Sequence, residues 1–190
     1  TYHPIYLAQK SFRHNTPKKQ LFMVVIIMEK ITSVIKRLKE NSHAYPHLSS
    51  LKFKKSDTFS WNNTLNTVFY DPKADNAASY LLHEYAHAVL GHVNYKNDVQ
   101  LVEIERDTWE RATQLGVDVN MPITPKIIES SLDTYRDWLH ARSLCPNCEA
   151  TGVQQSTNLY KCIACNHQWK VNEARSCALR RYDTTKNPAL

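Results

Sequence analysis

The chain has 190 residues, 42% of them hydrophobic, and a formal charge of +6. That length suits one medium domain plus a small module, and that apolar content excludes wholesale disorder. With 3 glycines and neither a G-x-G-x-x-G nor a Walker sequence, a glycine-rich phosphate loop is excluded too.

Charge is uneven along the chain: +9 over residues 1–55, −6 over 56–144 and +3 over 145–190. Basic ends suit nucleic acid or an acidic partner, although a solvated face is the commoner meaning. The apolar run 21–28 is far too short to cross a bilayer and lacks the cleavage site of a signal peptide. Met28 reads as a natural start, which leaves 1–27 as an extension without a fold of its own. A short strand over 21–27 is the alternative. From 29 to 41, Ile31, Val34, Ile35 and Leu38 form the apolar stripe of a surface helix.

A polar connector follows, then strands near 58–61 and 64–70 joined at the turn pair Asn62-Asn63. Asp75 or Asn76 caps a helix that runs to Leu90 and closes at Gly91. It is apolar on nearly all sides and therefore buried. Another helix spans 98–115 with Gly116 at its end. A fourth starts at Pro125, capped by Thr124, and reaches about Ala141. Beyond Ser143 the texture becomes short strands punctuated by cysteines. The expected domains are 28–143 and 144–190.

The buried helix carries His83-Glu84-Tyr85-Ala86-His87. Histidines four apart project from one helical face, so both imidazoles can reach one metal ion. Glu84 stands beside them, where it can take a proton from an activated water. H-E-x-x-H on a helix is thus a zinc site with its general base built in. The bland reading is a chance match, but two histidines and a glutamate are costly to bury without partners. A catalytic zinc needs a third protein ligand. His92, Asp98, Glu103, Glu105 and Asp107 are candidates. Glu103 and Asp107 share a face, so one could bind the ion and the other orient a ligand histidine. Glu105 falls among Leu101, Trp109 and Ala112 on the apolar face, and periodicity leaves the choice open. Tyr85, Tyr95 and His140 are candidate transition-state donors. The strand over 64–70 is expected to border the cleft and pair with an extended substrate.

Cys145-Pro-Asn-Cys148 and Cys162-Ile-Ala-Cys165 form C-x2-C-x13-C-x2-C. Two such knuckles converge four thiolates on one structural zinc and resemble a zinc ribbon. Disulfides are the competing reading; metal ligation and a cytoplasmic location are expected instead. Cys177 is left as a free thiol, and His167 as a surface residue. The basic and aromatic residues of the tail suit nucleic acid, while the ribbon could equally bind a protein or cap the fold.

The segment HEYAHAVLGH followed by EIERDTWERA resembles the ImmA/IrrE family of gluzincin-type metallopeptidases, over about residues 57–122. The resemblance implies an α+β zincin-like domain, peptide-bond hydrolysis of a regulatory protein, Glu103 as third ligand and Asp107 as the group that orients a histidine. Arg106 departs from the small residue usual there. SprT-like proteases, which act on DNA-associated proteins, also join H-E-x-x-H to a ribbon. They use a later histidine as ligand, for which His92 or His140 would serve. A non-catalytic, nucleic-acid-binding zinc protein is the remaining alternative. The expected content is two zinc ions, one catalytic and one structural, with a protein substrate, possible nucleic acid, and no membrane.

Overall fold

The computed structural model describes residues 31–175 and 177–184. The expected extension 1–27 lies outside them. The architecture is α+β, with four helices and two sheets among the described residues. The chain divides into two compact units. One holds the described residues through Asn94 together with Arg106–Ile128; the other holds Tyr95–Glu105 and the described residues from Glu129 onward.

In the first unit, residues 31–41 form helix α1. It buries Ile31, Val34 and Leu38, the i, i+3, i+7 stripe of an amphipathic helix. Strands β1 (Lys52–Lys55), β2 (Ser60–Asn62) and β3 (Thr67–Tyr70) follow. The order is β1-β3-β2, with β1 parallel and β2 antiparallel to β3. Two expectations fail here. Strand β1 falls within the expected connector, because in Lys-Phe-Lys-Lys only Phe53 is apolar; its ring stacks on Tyr85 at 6.2 Å. And β3 is the central strand, paired on both sides, so it has no open edge for a substrate; within this sheet β2 is an edge.

The β2–β3 turn is also longer than Asn62-Asn63. The Asn62 side chain accepts the Leu65 N–H at 2.9 Å, and Asn66 takes a left-handed φ of 45°, so the strand starts at Thr67.

Helix α2 is Ala77–Leu90 and is buried almost continuously from Leu81 to Ala88. Asn76 precedes it but makes no capping side-chain bond. Gly91 closes it at φ 67°, a left-handed conformation natural to glycine. The N–H groups of Gly91 and His92 then bond back to Ala88 O and His87 O, each at 3.2 Å. Helix α3, Asp98–Asp118, runs three residues past its expected end. Gly116 sits inside it, because a Cβ there would lie 2.7 Å from Met121 O. It serves close approach rather than chain reversal. Helix α4, Pro125–Ser143, starts at its proline as expected.

The second unit contains an antiparallel sheet, β4 (Gly152–Ser156), β5 (Leu159–Cys162), β6 (Gln168–Val171) and β7 (Arg181–Asp183), in that order. Cys145, Tyr160, Cys162, Trp169 and Val171 make its core. The unit does not begin near Ser143, because polar groups of the helices are consumed by the sheet. Trp169 donates its indole N–H to Arg142 O at 3.1 Å, and Trp138 donates to Glu173 O at 2.8 Å. The buried Arg142 guanidinium bonds Asp98 at 2.5 Å and Asn158 at 2.8 Å. Most of α4 and the first turns of α3 therefore belong with this sheet. No described helix is long and apolar enough to cross a membrane.

Candidate metal centres

Helix α2 carries His83, Glu84 and His87, all buried, with exposures of 2%, 0% and 0%. The i,i+4 spacing brings the two Nε2 atoms to 3.1 Å. Burial holds both imidazoles neutral: His83 is lowered to about 3, and His87 well below its ordinary value, with charge repulsion among the histidines as the lesser cause. Neutral rings present lone pairs, which is the form that binds a metal. Bonds of about 2.0–2.1 Å in a tetrahedron set two nitrogens about 3.3 Å apart, close to the separation seen.

The third member is Glu105. A carboxylate oxygen of Glu105 and one nitrogen of each histidine all lie within 4.8 Å of one another. Glu105 stands one residue before the unit boundary, on the same unbroken helix as Thr108 and Trp109. It is fully buried, and desolvation raises it to about 8, against the smaller lowering influence of the Tyr135 hydroxyl and Arg175. A buried carboxyl facing two neutral imidazoles has no reason to ionise until a cation arrives. The donor set, its closeness and its dryness fit zinc.

This corrects the expectation for Glu103 and Asp107. Both are exposed; Glu103 lines a cavity of about 700 Å³ in the second unit, and Asp107 pairs with Arg106 at 2.8 Å. The reason is helical phase. Residues 105, 108 and 109 fall on one side of α3, whereas 103 and 107 are two positions from 105 and project elsewhere.

The outer nitrogen of His87 meets Thr108 and His92 instead. His87 Nδ1 lies 3.2 Å from Thr108 Oγ1 and 3.0 Å from His92 Nδ1, and those two lie 3.3 Å apart. A metal on Nε2 would leave the proton on Nδ1, to be donated outward. The Gly91 reversal is what returns His92, five residues on, to this position. Trp109 covers His83, with ring centroids 4.3 Å apart. Sequence reasoning missed Thr108 altogether, since one threonine inside a helix carries no signal.

Glu84 accepts the backbone N–H of Trp61 on β2 at 2.7 Å. This bond fixes the carboxyl group. The candidate donors stand apart: Tyr85 donates to Leu38 O at 3.4 Å, Tyr95 to Glu173 at 3.1 Å, and His140 is exposed on α4.

The second centre is the four cysteines. Their ligand atoms also lie within 4.8 Å of one another, and no disulfide joins them. Sγ separations are 3.7 Å for Cys145–Cys165, 3.5 Å for Cys148–Cys162 and 3.4 Å for Cys148–Cys165. Zinc–sulfur bonds of about 2.3 Å in a tetrahedron give sulfur separations of about 3.8 Å. Backbone N–H groups turn onto the sulfurs: Asn147 N–H to Cys145 at 3.4 Å, and Ala164 and Cys165 N–H to Cys162 at 3.3 and 3.4 Å. The His167 backbone and the Asn147 amide lower Cys165 to about 6. Four protein donors close this site, which makes it structural in type. Cys177 is exposed and accepts from the Asn172 amide at 3.3 Å, apart from the cluster.

No protein-family model, curated protein or solved structure matches the chain.

Proposed function

We propose that the protein is a zinc-dependent peptidase, with His83, His87 and Glu105 as ligands and Glu84 as general base. The observation that carries this reading is the convergence of three buried donors within 4.8 Å, two of them on the helix that also carries the fixed Glu84 side chain. Zinc in such a site supplies Lewis-acid activation of water and of a carbonyl at neutral pH.

The chain's own residues would do the rest. Glu84 is adjacent to His83 and oriented by Trp61 N–H, so it can accept a proton from the attacking water and return it to the leaving amine. Thr108 and His92 hold His87 in the tautomer that leaves Nε2 free. The carboxylate third ligand supports the gluzincin-type reading over the SprT-like one, because neither His92 nor His140 joins the group.

The test is Glu84→Gln in the zinc-loaded protein, incubated with a proteome-derived peptide library whose products are read by mass spectrometry. Two zinc ions per chain should be retained, while cleavage falls by at least about a hundredfold. Identical products at an undiminished rate would reject the mechanism.

A further inference from the structure

We propose that the solvent face of the ribbon sheet binds single-stranded nucleic acid. This stands independently of the peptidase reading.

Side chains alternate across a sheet, so the register sorts them. Pairings Val153–Lys161–Gln168 and Leu159–Lys170–Tyr182 form two rows of one face. The opposite face carries Tyr160, Cys162, Trp169 and Val171, all buried in the core. Val153 is 50% exposed and Tyr182 43%, while Leu159, Lys161 and Lys170 are half-buried, so the outer face is reached by solvent. A solvated face is ordinarily polar, yet Val153, Leu159 and Tyr182 interrupt it.

Its charges have one sign. Lys161 and Lys170 are diagonal neighbours on adjacent strands, about 7–8 Å apart. Neither row contains a carboxylate. Asp183 pairs with Trp169 and so belongs to the other face. Two like charges this close, without an acid between them, are complementary to a run of anions.

Tyr182 decides which anion. It stands directly across from Lys170, so a ring and an ammonium are side by side. Phosphates meeting the lysines would bring an unpaired base onto the phenol ring, the arrangement by which single strands are bound without sequence preference. A duplex hides its bases and could use the lysines only.

The experiment is fluorescence anisotropy of labelled oligo(dT), about 15 nucleotides long, with the full zinc-loaded protein at about 50 and 200 mM salt. Binding should weaken with salt. Lys161→Glu with Lys170→Glu should make the log–log salt slope shallower by about 1.4, the value for two contacts to a single strand. Tyr182→Ala should weaken binding about 5- to 150-fold, and Tyr182→Phe should preserve it. If the double glutamate variant loses its zinc, the milder Lys161→Gln with Lys170→Gln should give the same change of slope. Absent or salt-independent binding would overturn the proposal. So would duplex binding as tight as single-strand binding, or an equal loss from reversing the exposed Lys36 and Lys39 on α1.

Discussion

Glu103 and Glu105 are two residues apart on one helix and end in different surroundings. The apolar pattern already put Glu105 with Leu101, Trp109 and Ala112, and the buried side of α3 is the side that carries the metal group. Glu105→Ala is therefore expected to weaken zinc binding at the histidine pair at least about tenfold, and Glu103→Ala to leave it unchanged. Competition titration against a chromophoric chelator separates the two; equal losses would mean that the helix is rotated. The histidines were legible because a spacing of four fixes a face whatever surrounds it. The acid was not, because several carboxylates within one turn or two fit the same spacing, and only packing selects among them.

Protons follow from the same residue. Glu105 at about 8 keeps a proton in the metal-free folded chain that the unfolded chain has lost above about pH 4.3. Its contribution to stability is whole below that unfolded value and fades as pH rises through 8. His83 at about 3, and His87, act oppositely: their contribution is present above about pH 6.5 and is lost as pH falls toward 3. The urea midpoint of chelator-treated protein should peak near pH 6–7. With the cysteine site already filled, zinc binding at the histidine site should release about one proton from Glu105 at pH 7, measurable by calorimetry in buffers of different ionisation enthalpy. No buffer dependence would contradict a carboxyl ligand.

At the scale of elements, the helices were readable and their connections less so. Apolar stripes and the Pro125 start located α1 and α4, because burial and a missing N–H leave plain marks on a sequence. Strand β1 left none, since an edge strand with lysines on either side of one phenylalanine reads as a polar connector. Glycine was ambiguous in kind: Gly116 stays helical to admit Met121 O, whereas Gly91 turns the chain. Gly91→Ala has open space for its Cβ but must take φ 67°. It should cost about 1–2 kcal/mol in urea denaturation, and Gly91→Asn should cost less. A neutral alanine would show that the α2 end adopts another turn.

At the scale of the molecule, the expected domain boundary failed because a change of texture marks where cysteines begin, not where packing ends. Asp98 and Arg142, with side-chain exposures of 3% and 1%, form a buried ion pair within the second unit, and the Tyr160 hydroxyl donates to the same carboxylate. Removing one partner strands the other charge. Arg142→Ala should cost about 3–5 kcal/mol in thermal or urea unfolding. Joint replacement, Arg142→Met with Asp98→Leu, should cost less; equal costs would mean that the charges are not coupled. The thiol cluster has a consequence of a different kind. Cys148 and Cys165 are exposed and their sulfurs are 3.4 Å apart, whereas Cys145 and Cys162 are buried. In a zinc-loaded cluster a peroxide-type oxidant would reach the outer pair first, take two electrons from the two sulfurs, close one disulfide and release the ion. Cys145 and Cys162 belong to the core with Trp169, so the same oxidation that empties the site would loosen the sheet. The packing of this sheet would then last only as long as its surroundings stay reducing.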